Sequence, residues 1–170
     1  MTARLAAAAA LAVLAAGCAA PRRTDPAAER RAYAQMTKES AVADLDAARP
    51  GAREELDAAA GWAVFSTIGA RVFLGEAPGG FGVAHDGKRG TDTYMQMSEP
   101  SLGPGLGGEE FRAVFVFRDE KTFREFVRGG WEFRTDDPGP AIEVWQLDAG
   151  GAITETALAG TKYWRDKDLN

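Results

Sequence analysis

The stretch from Gly61 to His85 limits the possible folds more than any other part of the chain. Short apolar runs, each long enough for a strand, alternate there with glycines where the chain has to turn. Trp62–Ser66, Arg71–Leu74 and Phe81–His85 are predicted strands, the last entered after the break at Pro78-Gly79-Gly80. Asp86-Gly87-Lys88-Arg89-Gly90 has hairpin-turn chemistry and leads into a strand over Thr91–Met97. After a glycine-rich connection from Glu99 to Gly108, Arg112–Arg118 is apolar on both faces between its arginines, the pattern of an interior strand covered on both sides.

Asp119 caps a predicted helix that ends at Arg128, with Phe123, Phe126 and Val127 on one face and Gly129 closing it. Strands follow at Trp131–Arg134, Ala141–Leu147 and Ile153–Leu158, with Asp148–Gly151 as the hairpin between the last two. Ala159–Asn170 reads as a strand running into a charged tail. Upstream, Asp25 and Pro26 begin a helix reaching Ala48, with a narrow stripe at Tyr33, Met36, Ser40, Ala43 and Ala47 that suits a surface helix. Pro50-Gly51 stops it, and Ala52–Ala60 forms a short helix with Leu56, Ala59 and Ala60 inward. The expected class is α+β: an antiparallel sheet with N-terminal helices packed on it and one inserted helix, in a single domain over residues 26–170.

Residues 1–17 read as a signal peptide. Arg4 provides the positive start, and Leu5–Ala16 is an apolar run far shorter than the ~20 residues of a spanning helix. It ends in Leu14-Ala15-Ala16-Gly17-Cys18, which resembles the bacterial lipoprotein box, so Cys18 is expected to carry acyl chains and residues 18–25 to act as a tether. Cleavage before Cys18 removes Arg4 and no acidic residue, moving the formal charge from −5 to −6. Ala19 after the cysteine favours the periplasmic face of the outer membrane over retention at the inner one.

That acidic balance lacks the broad positive footprint of a nucleic-acid binder. One cysteine and one histidine exclude an intramolecular disulfide and Cys/His zinc clusters. Gly103–Gly108 matches G-x-G-x-x-G in form, but a strand follows where a nucleotide fold needs a helix. His85 has no evident nucleophile beside it, and Glu109-Glu110, Asp136-Asp137 and Asp166-Lys167-Asp168 read as solvated turns. No catalytic group, metal site, cofactor or small-molecule substrate is expected. The basic residues are the better candidates: Lys88 and Arg89 on the hairpin tip, then Lys162, Arg165 and Lys167 around Tyr163 and Trp164. Rings beside cations suit a lipid–water interface, the rings at headgroup depth and the cations on phosphates.

Gly61-Trp62-Ala63-Val64-Phe65, the run from Phe73 to Gly82, the glycines from Gly103 to Glu109, Ala113–Phe117 with its helix, and Gly160-Thr161-Lys162-Tyr163-Trp164 together resemble the SYLF domain family. The resemblance covers about residues 38–170 and implies phospholipid binding without turnover. The expected function is that of a membrane-anchored phospholipid-binding lipoprotein of the bacterial envelope. The alternative is an envelope protein-interaction module that touches lipid only through its anchor.

Overall fold

The computed structural model describes residues 25–70, 79–98 and 110–170. The expected signal peptide, Cys18, the strand at Arg71–Leu74 and the glycine-rich connection from Glu99 to Gly108 lie outside the described residues. Helix α1 spans Pro26–Ala48, α2 Ala52–Ala58 and α3 Glu120–Gly129. The strands are β1 Gly61–Ser66, β2 Gly80–Asp86, β3 Thr91–Ser98, β4 Phe111–Phe117, β5 Trp131–Glu132, β6 Ile142–Asp148, β7 Ile153–Thr154 and β8 Lys162–Arg165. All pair antiparallel in one sheet of order β5-β8-β3-β2-β1-β4-β6-β7. The chain is α+β, with α1 and α2 on one face of the sheet and α3 on the other.

Strand alternation sorts the side chains between these faces. Ala63, Phe65, Met95, Met97, Phe111, Phe115 and Phe117 point towards α3 and meet Phe123, Phe126, Phe133 and Tyr163 in an aromatic core. Phe65 and Tyr163 lie at a centroid distance of 4.5 Å, Phe117 and Phe126 at 4.9 Å, in tilted and edge-on geometries that suit the ring quadrupoles. The glycines of the opening stretch make room for these rings. A Cβ on Gly61 would come within 2.5 Å of the Phe123 ring, and one on Gly82 would overlap Phe65, its cross-strand partner. β4 is buried along its whole length, as its two-faced apolarity requires.

On the other face, Val64, Val114, Val116 and Leu147 pack against Ala41, Val42, Leu45, Ala52 and Leu56. The predicted α1 stripe is corrected here. Ala34, Ala41, Val42 and Leu45 face inward, while Met36 is 58% exposed and Ser40, Ala43 and Ala47 face solvent. Periodicity failed because the inward face also carries Gln35 and Lys38, which meet polar groups on the sheet. Other extents differ: β5 stops at Glu132, short of Arg134, and α2 at Ala58, short of Ala60. The strand predicted to reach Leu158 stops at Thr154, because the Asp136 carboxylate accepts from the Leu158 and Ala159 N–H groups at 2.8 and 2.9 Å and draws the chain away. Gly130, with φ 72°, and not Gly129, closes α3.

Candidate functional site

The candidate lipid contacts fall in three places. At the hairpin, Asp86 Oδ1 accepts from the backbone N–H groups of Lys88 and Arg89 at 3.0 and 2.9 Å, and Gly90 N–H donates to the Asp86 carbonyl at 2.8 Å. Burial pushes the Asp86 carboxyl up, but these bonds and the Arg89 guanidinium outweigh it and hold the group below the usual range. Both tip cations are engaged: Arg89 with Asp86 at 3.2 Å, and Lys88 with Glu120 at the start of α3 at 2.7 Å.

Strand β8 divides the second group. Lys162, Tyr163, Trp164 and Arg165 were expected to act together, but neighbours along a strand point to opposite faces. Tyr163 is 2% exposed in the aromatic core, so its ring does not reach an interface. Lys162 and Trp164 lie on the α1 face, across from Ser98 and Gln96 of β3, while Arg165 emerges on the α3 side opposite Met95. Trp164 is 39% exposed and donates its indole N–H to Gln96 Oε1 at 3.2 Å. Lys162 has a loose contact with Glu132 at 3.6 Å. Arg165 and Lys167 are exposed, and neither forms an ion pair among the described residues.

The segment after β8 was read as a charged tail with a solvated Asp166-Lys167-Asp168 turn. Instead it folds back onto the domain. Asp166 is 1% exposed; its Oδ2 accepts from Arg30 at 3.2 Å and Gln96 at 2.9 Å, and its Oδ1 accepts from the N–H groups of Asp168 and Leu169. Arg31 Nε donates to the Leu169 carbonyl at 2.8 Å, and Leu169 packs with Ala34, Phe81 and Val83. Burying a carboxylate requires such saturation with donors, and the result ties the first turns of α1 to the end of β8. Lys167 stays exposed beside this hub, whereas Lys162, opposite Ser98, lies at the other end of β8.

A third feature was not anticipated. His85 Nδ1 lies 2.7 Å from Asp92 Oδ1, across the β2–β3 register, and Asp92 Oδ2 accepts from Lys38 at 2.5 Å and Gln35 at 2.7 Å. Burial raises the Asp92 carboxyl, but the hydrogen bonds from Lys38, His85 and Gln35 outweigh it and hold it below 3.8. Ionised Asp92 makes Nδ1 the protonated ring nitrogen, and the ring packs 5.1 Å from Trp62. No Ser, Thr or Cys hydroxyl or thiol bonds to His85 among the described residues. The signal was present in β3, where Asp92, Tyr94 and Gln96 alternate as one polar face. Along the outer side of α3, an open groove of about 690 Å³ is lined by Lys121, Arg124, Arg128 and Trp131 with Glu120 and Glu125. Three cations and two carboxylates leave this lining one net positive charge, and Arg124 pairs with Glu120.

Among the described residues, no three His, Cys, Asp or Glu side chains converge as a metal site, and no helix is long and apolar enough to cross a membrane. No family model matches the chain. It is 31% identical over 158 residues to Beta cell expansion factor A of Aeromonas veronii. The alignment takes in 84% of this chain and 60% of that protein, so the chain spans about three fifths of its relative's length.

Proposed function

We propose that this is a membrane-anchored lipoprotein of the bacterial envelope, on the periplasmic face of the outer membrane, whose domain binds phospholipid headgroups without turnover. The observation that carries the reading is the exposed Trp164 on β8, with Lys162 and Arg165 exposed at the two ends of that strand and Lys167 just beyond it. An indole with its N–H held and its ring open to solvent suits headgroup depth, and flanking cations suit phosphates at roughly 1 kcal/mol each near an anionic surface. The SYLF-like glycine and Gly160–Trp164 motifs support the same reading, as does acylation expected at Cys18. The relative's name speaks of beta cell expansion and not of lipid, so the reading stands on surface chemistry.

Lys88 and Arg89 contribute less, because each would have to leave a carboxylate to meet a phosphate. Co-sedimentation of a soluble Cys18→Ser chain with anionic and neutral vesicles, at low and high salt, tests the proposal. Binding to anionic vesicles that weakens with salt is expected. A folded chain that sediments with neither kind contradicts it.

A further inference from the structure

We propose that the groove along the outer side of α3 holds one phospholipid headgroup by its phosphodiester, with Lys121, Arg124 and Arg128 facing the phosphate and Trp131 the glycerol. This rests on the lipid-binding reading and adds the place where a single headgroup is held.

Helical spacing makes the groove. Phe123, Phe126 and Val127 turn the apolar side of α3 to the sheet, so Lys121, Arg124 and Arg128 fall on the side that water meets. Lys121 and Arg128 lie about 10 Å apart along the helix axis. Both are exposed, and neither is held in an ion pair among the described residues. Gly130, with φ 72°, turns the chain out of the helix, and Trp131 follows on β5 at the groove's end. Its ring packs 6.1 Å from Phe126 and 6.0 Å from Phe133, so the core holds it in place while it lines the groove.

Charge selects the ligand. Glu120 is already engaged by Lys88 at 2.7 Å and by Arg124, and the lining as a whole sets three cations against two carboxylates. One net positive charge matches the single negative charge of a phosphodiester. A polyanion would meet Glu125 in the groove and, beyond it, a chain of net charge −5. The volume of about 690 Å³ falls within the range of small-molecule sites. The arginine forks fit phosphate oxygens. The stems of the three long side chains and the indole put apolar surface beside the cations, which inorganic phosphate does not use and the glycerol–acyl junction of a lipid does.

The groove also runs into the surface that carries the lipid-binding reading. A Cβ on Gly130 would lie 3.9 Å from the Trp164 Cβ, so the groove's end meets β8 at its exposed indole. Arg165, the next residue, emerges on the α3 side. β5 is the edge strand, so Trp164 and the groove open at the same edge of the sheet. A bilayer surface touches both together, which a soluble anion cannot do.

Two double variants of the soluble Cys18→Ser chain test the groove by co-sedimentation with phosphatidylglycerol-containing vesicles. Lys121→Gln with Arg128→Gln removes its two unpaired cations. Arg53→Gln with Arg118→Gln removes the same charge from α2 and from the end of β4. All four side chains are exposed, so the fold is retained, and equal thermal melting checks it. The groove pair is expected to lower binding about tenfold at low salt, and the control pair by less than about twofold. Equal binding by the two, when the parent chain sediments with the vesicles, overturns the groove and leaves the lipid-binding reading standing. A parent chain that does not sediment with them overturns both. Monomeric dihexanoylphosphatidylglycerol, titrated below its micelle concentration, is expected to give a saturable change in tryptophan fluorescence that the groove pair lacks. The same saturable change from inorganic phosphate would assign the groove to free phosphate and overturn the headgroup.

Discussion

The two faces of the sheet are held in different ways. Beneath α3, Phe65, Phe115, Phe117, Phe123, Phe126, Phe133 and Tyr163 form a continuous aromatic layer. Beneath α1, apolar contacts at Ala41, Val42 and Leu45 are interrupted by ion pairs: Arg30 with Asp166, Lys38 with Asp92, and Arg112 with Asp44. The aromatic face draws its stability from area removed from water and carries no ion pair among the rings that form it. The polar face fixes where α1 sits, since each pair admits one register, and through α1 it fixes where the chain's N-terminal segment leaves the domain. One face supplies the buried aromatic area; the other fixes the position of α1.

The largest test of this contrast is Phe126→Ala. The ring is fully buried and touches Phe65, Phe115, Phe117 and Tyr163, so denaturant unfolding should show a loss of about 3–5 kcal/mol. A loss below that of the polar-face variants would break the comparison.

Arg112→Met comes next. Arg112 is buried and donates to Asp44 at 2.5 Å, to Ser40 and to the Asp148 carbonyl, yet Asp44 keeps 40% of its side chain in solvent. Methionine retains most of the buried stem, and Asp44 can be hydrated once unpaired. The same unfolding measurement should therefore give a smaller loss, about 1–3 kcal/mol.

The acid limb of stability isolates Asp92. Its hydrogen-bond donors hold the folded carboxyl below the usual carboxylate range, so the unfolded chain takes up the proton first as pH falls. Its contribution is complete above the unfolded value and is lost as pH falls through the folded one. Asp92→Asn removes that contribution, on the order of 1–2 kcal/mol at neutral pH. The wild type and the variant should converge in stability once the pH has fallen below the folded value of Asp92. A constant gap at all pH values would show that Asp92 holds α1 by packing alone. The smallest effect belongs to Lys88→Ala, whose ion pair with Glu120 is largely in water, with a change within about 0.5 kcal/mol in thermal melting.

Much of this layout was legible in the chain. Glycine-punctuated apolar runs located β1, β2 and β3, the two-faced run located β4, and Asp119 with Phe123 and Phe126 located α3, because each pattern is local. What escaped was the pairing of polar groups distant in sequence. Lys38 and Asp92, or Arg30 and Asp166, are neighbours only once α1 lies across β3, so α1's inward stripe was misplaced and Asp166 was taken for a solvated turn. The candidate site was half legible. Lys162, Trp164 and Lys167 are exposed, whereas strand alternation sends Tyr163 into the core, which a list of aromatic and basic residues does not register.

Neutralising two cations in each of two places would test the central claim most directly. Soluble Cys18→Ser chains, one carrying Lys162→Gln with Lys167→Gln and the other Lys88→Gln with Arg89→Gln, would be sedimented with anionic vesicles at low salt. The account predicts that the Lys162 and Lys167 pair loses most of the binding and the hairpin pair keeps it. Loss with the hairpin pair and retention with the Lys162 and Lys167 pair would contradict it.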